Sequence, residues 1–317
     1  MALMHSRQDV QAYLDDAPAG DALAARLRTA RDVLRFAAGP LELPADDSYT
    51  SFAITGREAV VWNVVATPEF SLQPRRWCFL VTGCVPYRGY FHRADAQGLA
   101  DRLAHKGFDV AVSGATAYST LGWFKDPIPD TVLNLPDAQL AATLIHELAH
   151  RKLFVRGDTE FSESYATFVE AAGVARWLQA RGRPDQERLW QDYLQAGERF
   201  DRLLMQTRDE LATLYASGLP PDAMRDGKQA AFARLAQRYR DSLRDSDDGR
   251  DWFGGWFDRQ PNNADLALMS AYTGGQCAFR ALFREVAGDF AAFHHRAKAV
   301  AGAGAEARRA FLQQSCQ

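Results

Sequence analysis

The sequence predicts an α+β fold: a small sheet with helices around it, followed by a mainly helical C-terminal half. Three observations carry this. The short β-branched and aromatic runs AVVWNVVATPEF, WCFLVTGCVPYRGYF and FDVAVSGATAYST are confined to residues 58–119 and bounded by Gly and Pro. The stretches before residue 39 and after Pro136 space their apolar residues as helices do. No internal repeat or low-complexity tract breaks this order.

The elements follow in sequence. From Asp9 to Ala38, Leu23, Leu27, Val33 and Leu34 fall near one side, giving one or two helices interrupted around Pro18–Gly20. A helix over Asp95–His105 is expected between two strands of the sheet. Beyond Pro136 the β-like runs stop, and long helices are expected near 184–216 and 221–245. DSDDGRDWFGG, residues 245–255, reads as a flexible loop. The expected organisation is an N-terminal part, 1–135, holding helices and sheet, and a helical part, 136–317, together forming one compact unit.

Composition excludes several classes. The chain has 317 residues, 47% hydrophobic and 24% charged, as ordinary globular proteins do. Net charge is -3, and no Lys/Arg block of the kind used by nucleic-acid arms or polybasic membrane segments occurs, so no nucleic-acid partner is expected. No run of 18 apolar residues marks a transmembrane segment. MALMHSRQDVQAYLDD lacks the apolar core and cleavage site of an export signal. Cys78, Cys84, Cys277 and Cys316 lack CxxC spacing and are expected to be small buried hydrophobes, although the chain could fold back around Thr82-Gly83 and bridge Cys78 to Cys84.

The chemistry concentrates in LAATLIHELAHRKLF, residues 140–154. Leu140, Thr143, Leu144, Glu147 and His150 keep helical spacing, and Pro136-Asp137 marks a helix start. His146 and His150 then stand one turn apart on one face and can share a Zn²⁺, with Glu147 turned beside the open position as the base for water. With 7 His in the chain, random order would give HExxH about 0.006 times, so the pattern is informative. A catalytic zinc takes a third protein ligand. Glu163, in FSESYATFVE, is the favoured candidate, because that segment is also helical and VRGDTE between the two offers Gly157 with the cap-type residues Asp158 and Thr159. A helix hairpin would bring Glu163 over the histidines. Glu170, seven residues on, could orient a ligand histidine or be an ordinary solvated carboxylate, and Asp158 is a weaker candidate for the same task.

HELAH followed by SESYAT resembles the gluzincin arrangement, HExxH then NExxA. VPYRGYF, AYSTLGWFKDP, IHELAHRKLF, GDTEFSESYATFVE and NNADLALMSAYTGG resemble the bacterial family of predicted zinc aminopeptidases, from about Tyr49 to Leu282. The resemblance implies a zincin-like fold with the metal site between the sheet half and the helical half. It implies His146, His150 and Glu163 as zinc ligands, Glu147 as the catalytic residue and a peptide or small amide as substrate. Ser162 stands where the family more often has Asn. The family also implies the cell envelope if the natural start lies upstream.

Such a reaction needs a donor for the developing oxyanion. Tyr272, by analogy with gluzincins, and Tyr118 are the candidates. Ala115–Leu121 could be an edge strand that holds an extended substrate, or interior sheet. Asp126, Asp130 and Glu170 could anchor a substrate ammonium. His294 and His295 point about 100° apart on a helix and are expected at the surface. The Trp-rich DWFGGWFDRQPNN, residues 251–263, could line a pocket or pack as a loop. Two alternatives to peptidase action share these residues: a non-catalytic zinc-stabilised binding protein, and a zinc hydrolase of non-peptide amides.

Overall fold

The computed structural model describes residues 7–44, 48–79, 83–116, 125–244, 249–273 and 275–314. It is a mixed α and β structure with small sheets and a larger helical C-terminal half. The chain divides into two compact units, each assembled from separate segments. The first comprises Met1–Val61, Gly114–Glu187 and Gly274–Gln317; the second comprises Trp62–Ser113 and Arg188–Thr273. Residues 135 and 136 both belong to the first.

In the first unit, β1 (Arg7–Asp9), β2 (Ser51–Ala53) and β8 (Ile128–Pro129) form a three-stranded sheet in the order β1-β2-β8, antiparallel then parallel. These strands are too short to leave a period-2 pattern, and sequence reasoning did not foresee them. The N-terminal helices are α1 (Val10–Asp16) and α2 (Ala22–Ala38), broken at Pro18–Gly20 as expected and capped by Asp9 and Asp21, whose side chains accept from Ala12 and Ala24 amides. A single turn, α4 (Asp130–Leu133), leads into α5 (Asp137–Lys152), and α6 (Thr159–Ala180) follows. Helix α6 is buried on nearly every side, from Phe161 to Leu178, which fits its lack of a polar face. Helices α10 (Gln276–Glu285), α11 (Phe290–Gly302) and α12 (Ala305–Leu312) surround it with an aromatic core in which Tyr165 stacks on Phe293 and Phe161 meets Phe279 edge-on.

In the second unit, β3 (Val61–Pro68) lies between β6 (Arg88–Tyr90) and β7 (Phe108–Ala115), and α3 (Arg93–Ala104) covers the sheet through Ala96, Ala100 and Leu103. The expected helix over Asp95–His105 is thus present. The hairpin β4 (Trp77–Phe79) and β5 (Gly83–Val85) is closed by a Cys78–Cys84 disulfide, with Cα atoms 3.9 Å apart. The expectation of buried thiols is therefore wrong: the two residues face each other across the hairpin, and none of the described cysteines is free. Two long helices, α7 (Pro184–Tyr215), whose first turn belongs to the first unit, and α8 (Pro221–Arg244), pack through Phe200, Leu204, Leu211 and Leu235. Phe253, Trp256 and Phe257 pack on the same cluster, so the Trp-rich segment is a packed loop with a 3-10 turn over Gly254–Arg259; residues 245–248 of the stretch expected to be a flexible loop lie outside the described residues. Helix α9 (Asn263–Thr273) completes this unit. Among the described residues no helix is long and apolar enough to cross a membrane.

Candidate metal centre

Helix α5 carries both histidines because its other face is committed to the core. Leu140, Ala141, Leu144, Ile145, Leu148 and Ala149 are buried, leaving His146 and His150 one turn apart on the side turned to α6. Arg26 ties down the start of the helix, donating to Asp137 and, at 2.8 Å, to the Leu133 carbonyl. His150, Arg151 and Lys152 in the last turn suit the negative end of the helix dipole.

The chain then reverses within a few residues. Gly157 takes φ 80°, a conformation that costs a side-chain-bearing residue energy. Asp158 accepts the Phe161 amide at 3.2 Å and the Arg308 guanidinium at 2.6 Å. It is a helix cap with a fixed partner, which corrects its candidacy for orienting a histidine. Ser162 accepts from the Val155 amide (3.0 Å) and donates to the Asp158 carbonyl (2.9 Å), so the residue standing in place of Asn closes the hairpin. At Gly173 an added Cβ would lie 2.8 Å from Leu41 Cδ1 and 3.1 Å from Ile145 Cγ2, so a side chain there would make these neighbours shift.

This hairpin brings Glu163 to the histidines. Its Oε2 lies 3.3 Å from His146 Nε2 and 3.5 Å from His150 Nε2, and the two Nε2 atoms are 3.0 Å apart. The three side chains are 16%, 8% and 16% exposed for His146, His150 and Glu163, so water screens them little. His146, His150 and Glu163 could hold a metal ion.

Glu170 is the fourth member. Its Oε2 accepts from His146 Nδ1 at 3.0 Å, so it is a histidine-orienting carboxylate and not a solvated one. Since the carboxylate cannot donate, the proton of a neutral His146 sits on Nδ1, and its Nε2 presents a bare lone pair toward His150 Nε2 and Glu163. Glu163 Oε2 has no hydrogen-bond partner, nor has His150 Nδ1. Converging lone pairs and an unsatisfied buried carboxylate are costly unless a cation joins them. The electrostatics agree. Burial opposes charge on His146, but the Glu163 and Glu170 carboxylates beside it outweigh this and push its pKa up to about 10. Burial likewise raises Glu163, and the two imidazoles overcome it and bring its pKa to about 2. Without an ion, the cluster holds a proton in the place of one.

Glu147 sits beside this cluster, partly buried. Burial raises its pKa, the two histidines pull it back, and Glu163 and Asp126 add to the rise. Asp126, 5% exposed, is therefore within electrostatic reach of Glu147, a neighbour that no sequence spacing revealed. Asp130 accepts from Thr55 (2.6 Å) and from the Gly56 (2.9 Å) and Thr131 (3.1 Å) amides, so its carboxylate joins β2's exit to α4. Tyr118, the segment 117–121 and the Tyr272 side chain lie outside the described residues.

His294 is not at the surface. It is 5% exposed, accepts a hydrogen bond from the Tyr165 hydroxyl on Nδ1 (2.7 Å) and donates from Nε2 to the Leu41 carbonyl (2.8 Å). Burial, reinforced by Lys152 and opposed by the Leu41 bond, lowers its pKa to about 4. His295, its neighbour, is exposed.

The sequence model of the family described as "Putative aminopeptidase" matches residues 1–312. The chain belongs to that family. A peptidase-like function is thus supported for it, and the metal-competent cluster lies on the hairpin α5–α6 of this family member. No curated protein and no solved structure matches the chain.

Proposed function

We propose that this protein is a zinc-dependent aminopeptidase of the gluzincin type. The observation that carries the zinc assignment is the donor set: two imidazole nitrogens and one carboxylate oxygen, 3.0 to 3.5 Å apart. Tetrahedral ligands at zinc's usual bond lengths stand about 3.3 to 3.4 Å from one another. Nitrogen and oxygen donors with one position left over suit zinc in a catalytic role. His146, His150 and Glu163 would hold the ion, and Glu170 would keep the His146 ring turned toward it.

When bound, zinc supplies Lewis acidity that polarises the scissile carbonyl and makes water easier to deprotonate. Glu147, with no hydrogen bond or ion pair to a described residue, takes the proton of the attacking water and passes it to the departing amine. Tyr118 and Tyr272 are the candidate donors to the oxyanion. Asp126, buried near Glu147, and Glu170 remain candidates for the substrate ammonium. Action at the free amino end rests on the family, and so does the peptide nature of the substrate. The Cys78–Cys84 disulfide fits an oxidising compartment such as the bacterial envelope.

The test compares zinc content and cleavage of amino-acid arylamides and N-blocked peptides by wild type and Glu147→Gln. Equal zinc with cleavage by wild type alone, on free and not blocked substrates, is expected. Zinc bound with no cleavage of either would favour a zinc-stabilised binding protein.

A further inference from the structure

Between Glu69 and Asp95 the chain carries Arg75, Arg76, Arg88, Arg93 and His92, but no carboxylate and no lysine. The whole chain is net -3, so the remainder bears -7 once the four arginines of this stretch are set aside. Spread along the sequence, the arginines form no block. The fold gathers them.

Three guanidiniums sit over three rings: Arg75 at 5.7 Å from the Trp77 ring centre, Arg88 at 5.5 Å from Tyr90 and Arg93 at 4.9 Å from Trp62. The rings belong to one apolar layer. Trp77 is buried with Val64, Ala96 and Leu103, and Trp62 and Tyr90, paired directly across β3 and β6, pack against the same cluster. The three arginines are exposed, and two of the rings beneath them are direct neighbours across β3 and β6. Arg76 is held alongside by donating to the Cys84 carbonyl at 2.8 Å, on the hairpin that the disulfide closes. Phe91 is 57% exposed and Tyr87 36%, flanking Arg88 in the same segment. Glu69, the preceding carboxylate in the chain, is taken by Arg225 at 2.6 Å.

We propose that this arginine–aromatic face docks the protein on an anionic phospholipid surface. A guanidinium stacked on a ring keeps its N–H edge outward, is weakly hydrated and pairs bidentately with phosphate. An exposed phenylalanine close in the chain to Arg88 and Arg93 gains from a medium that offers phosphate oxygens and hydrocarbon within a few ångströms, as the headgroup boundary does. The inference is independent of the metal centre.

The test is co-sedimentation of the full chain with phosphatidylcholine vesicles, with and without phosphatidylglycerol at about a third of the lipid. Binding to the anionic vesicles alone, weakening as salt is added, is expected. Arg75→Glu with Arg88→Glu should lower the partition coefficient by about ten-fold or more, and Phe91→Ser by less. Arg75→Gln with Arg88→Gln, and unchanged melting temperatures, guard against a folding defect. Wild type that fails to pellet with anionic vesicles, that pellets equally with neutral ones, or that matches the charge-reversed variant overturns the proposal. Retention on immobilised polyglutamate without vesicle binding would also overturn it and assign the face to an acidic polypeptide.

Discussion

Helix α6 presents two residues, Glu163 and Tyr165, to two buried histidine environments, and the two environments are opposites. Tyr165, His294 and the Leu41 carbonyl form a line in which each donor has its acceptor, 2.7 and 2.8 Å long. Around Glu163 two ring nitrogens face each other 3.0 Å apart, and a buried carboxylate oxygen has no hydrogen-bond partner. A histidine whose partners are complete is part of the core, because burial has already been compensated. A histidine pair left incomplete among buried carboxylates is a place for a cation. Burial is similar in both; satisfaction tells them apart.

The largest break in this comparison comes from the incomplete side. Glu163→Ala or His150→Ala removes one of three donors and should abolish both zinc retention and cleavage, while circular dichroism shows the fold intact. Glu147→Gln should keep the metal and lower turnover by about 10² to 10⁴-fold. Glu170→Gln should weaken zinc binding by about 10 to 100-fold, because His146 loses the acceptor that fixes its ring, and competition with a chelator would read this directly.

The complete side should respond in stability and not in metal. His294→Phe strands the Leu41 carbonyl and the Tyr165 hydroxyl and should cost about 2 to 3 kcal/mol in urea unfolding, with zinc content unchanged. The pH dependence has a fixed sign. His294 is held at about 4 in the fold against 6.5 ordinarily, so between these values the unfolded chain binds the extra proton. Its contribution, up to about 3 kcal/mol, is present above pH 6.5 and lost as pH falls toward 4; His294→Phe should flatten that slope.

Legibility in the sequence divides along the same line. His146, His150, Glu147, Glu163 and Glu170 were readable because helical periodicity and a Gly-Asp linker place them on two adjacent helices, where spacing becomes geometry. The long helices and the break at Pro18–Gly20 were readable for the same reason. His294 was not: periodicity assigns a face, but its partners lie 129 and 253 residues away. Asp126 near Glu147 and the two- and three-residue strands of the first sheet depend likewise on distant pairing. Cys78 and Cys84 needed the β4–β5 register to be known before they could be joined.

The central claim is that the incomplete cluster is a metal site and the complete one is not. Isothermal titration of zinc into chelator-treated wild type, His146→Ala and His294→Phe tests it most directly. One zinc per chain for wild type and His294→Phe, with none for His146→Ala, is the predicted result. Equal zinc uptake by His146→Ala and wild type, or no uptake by wild type, would contradict it.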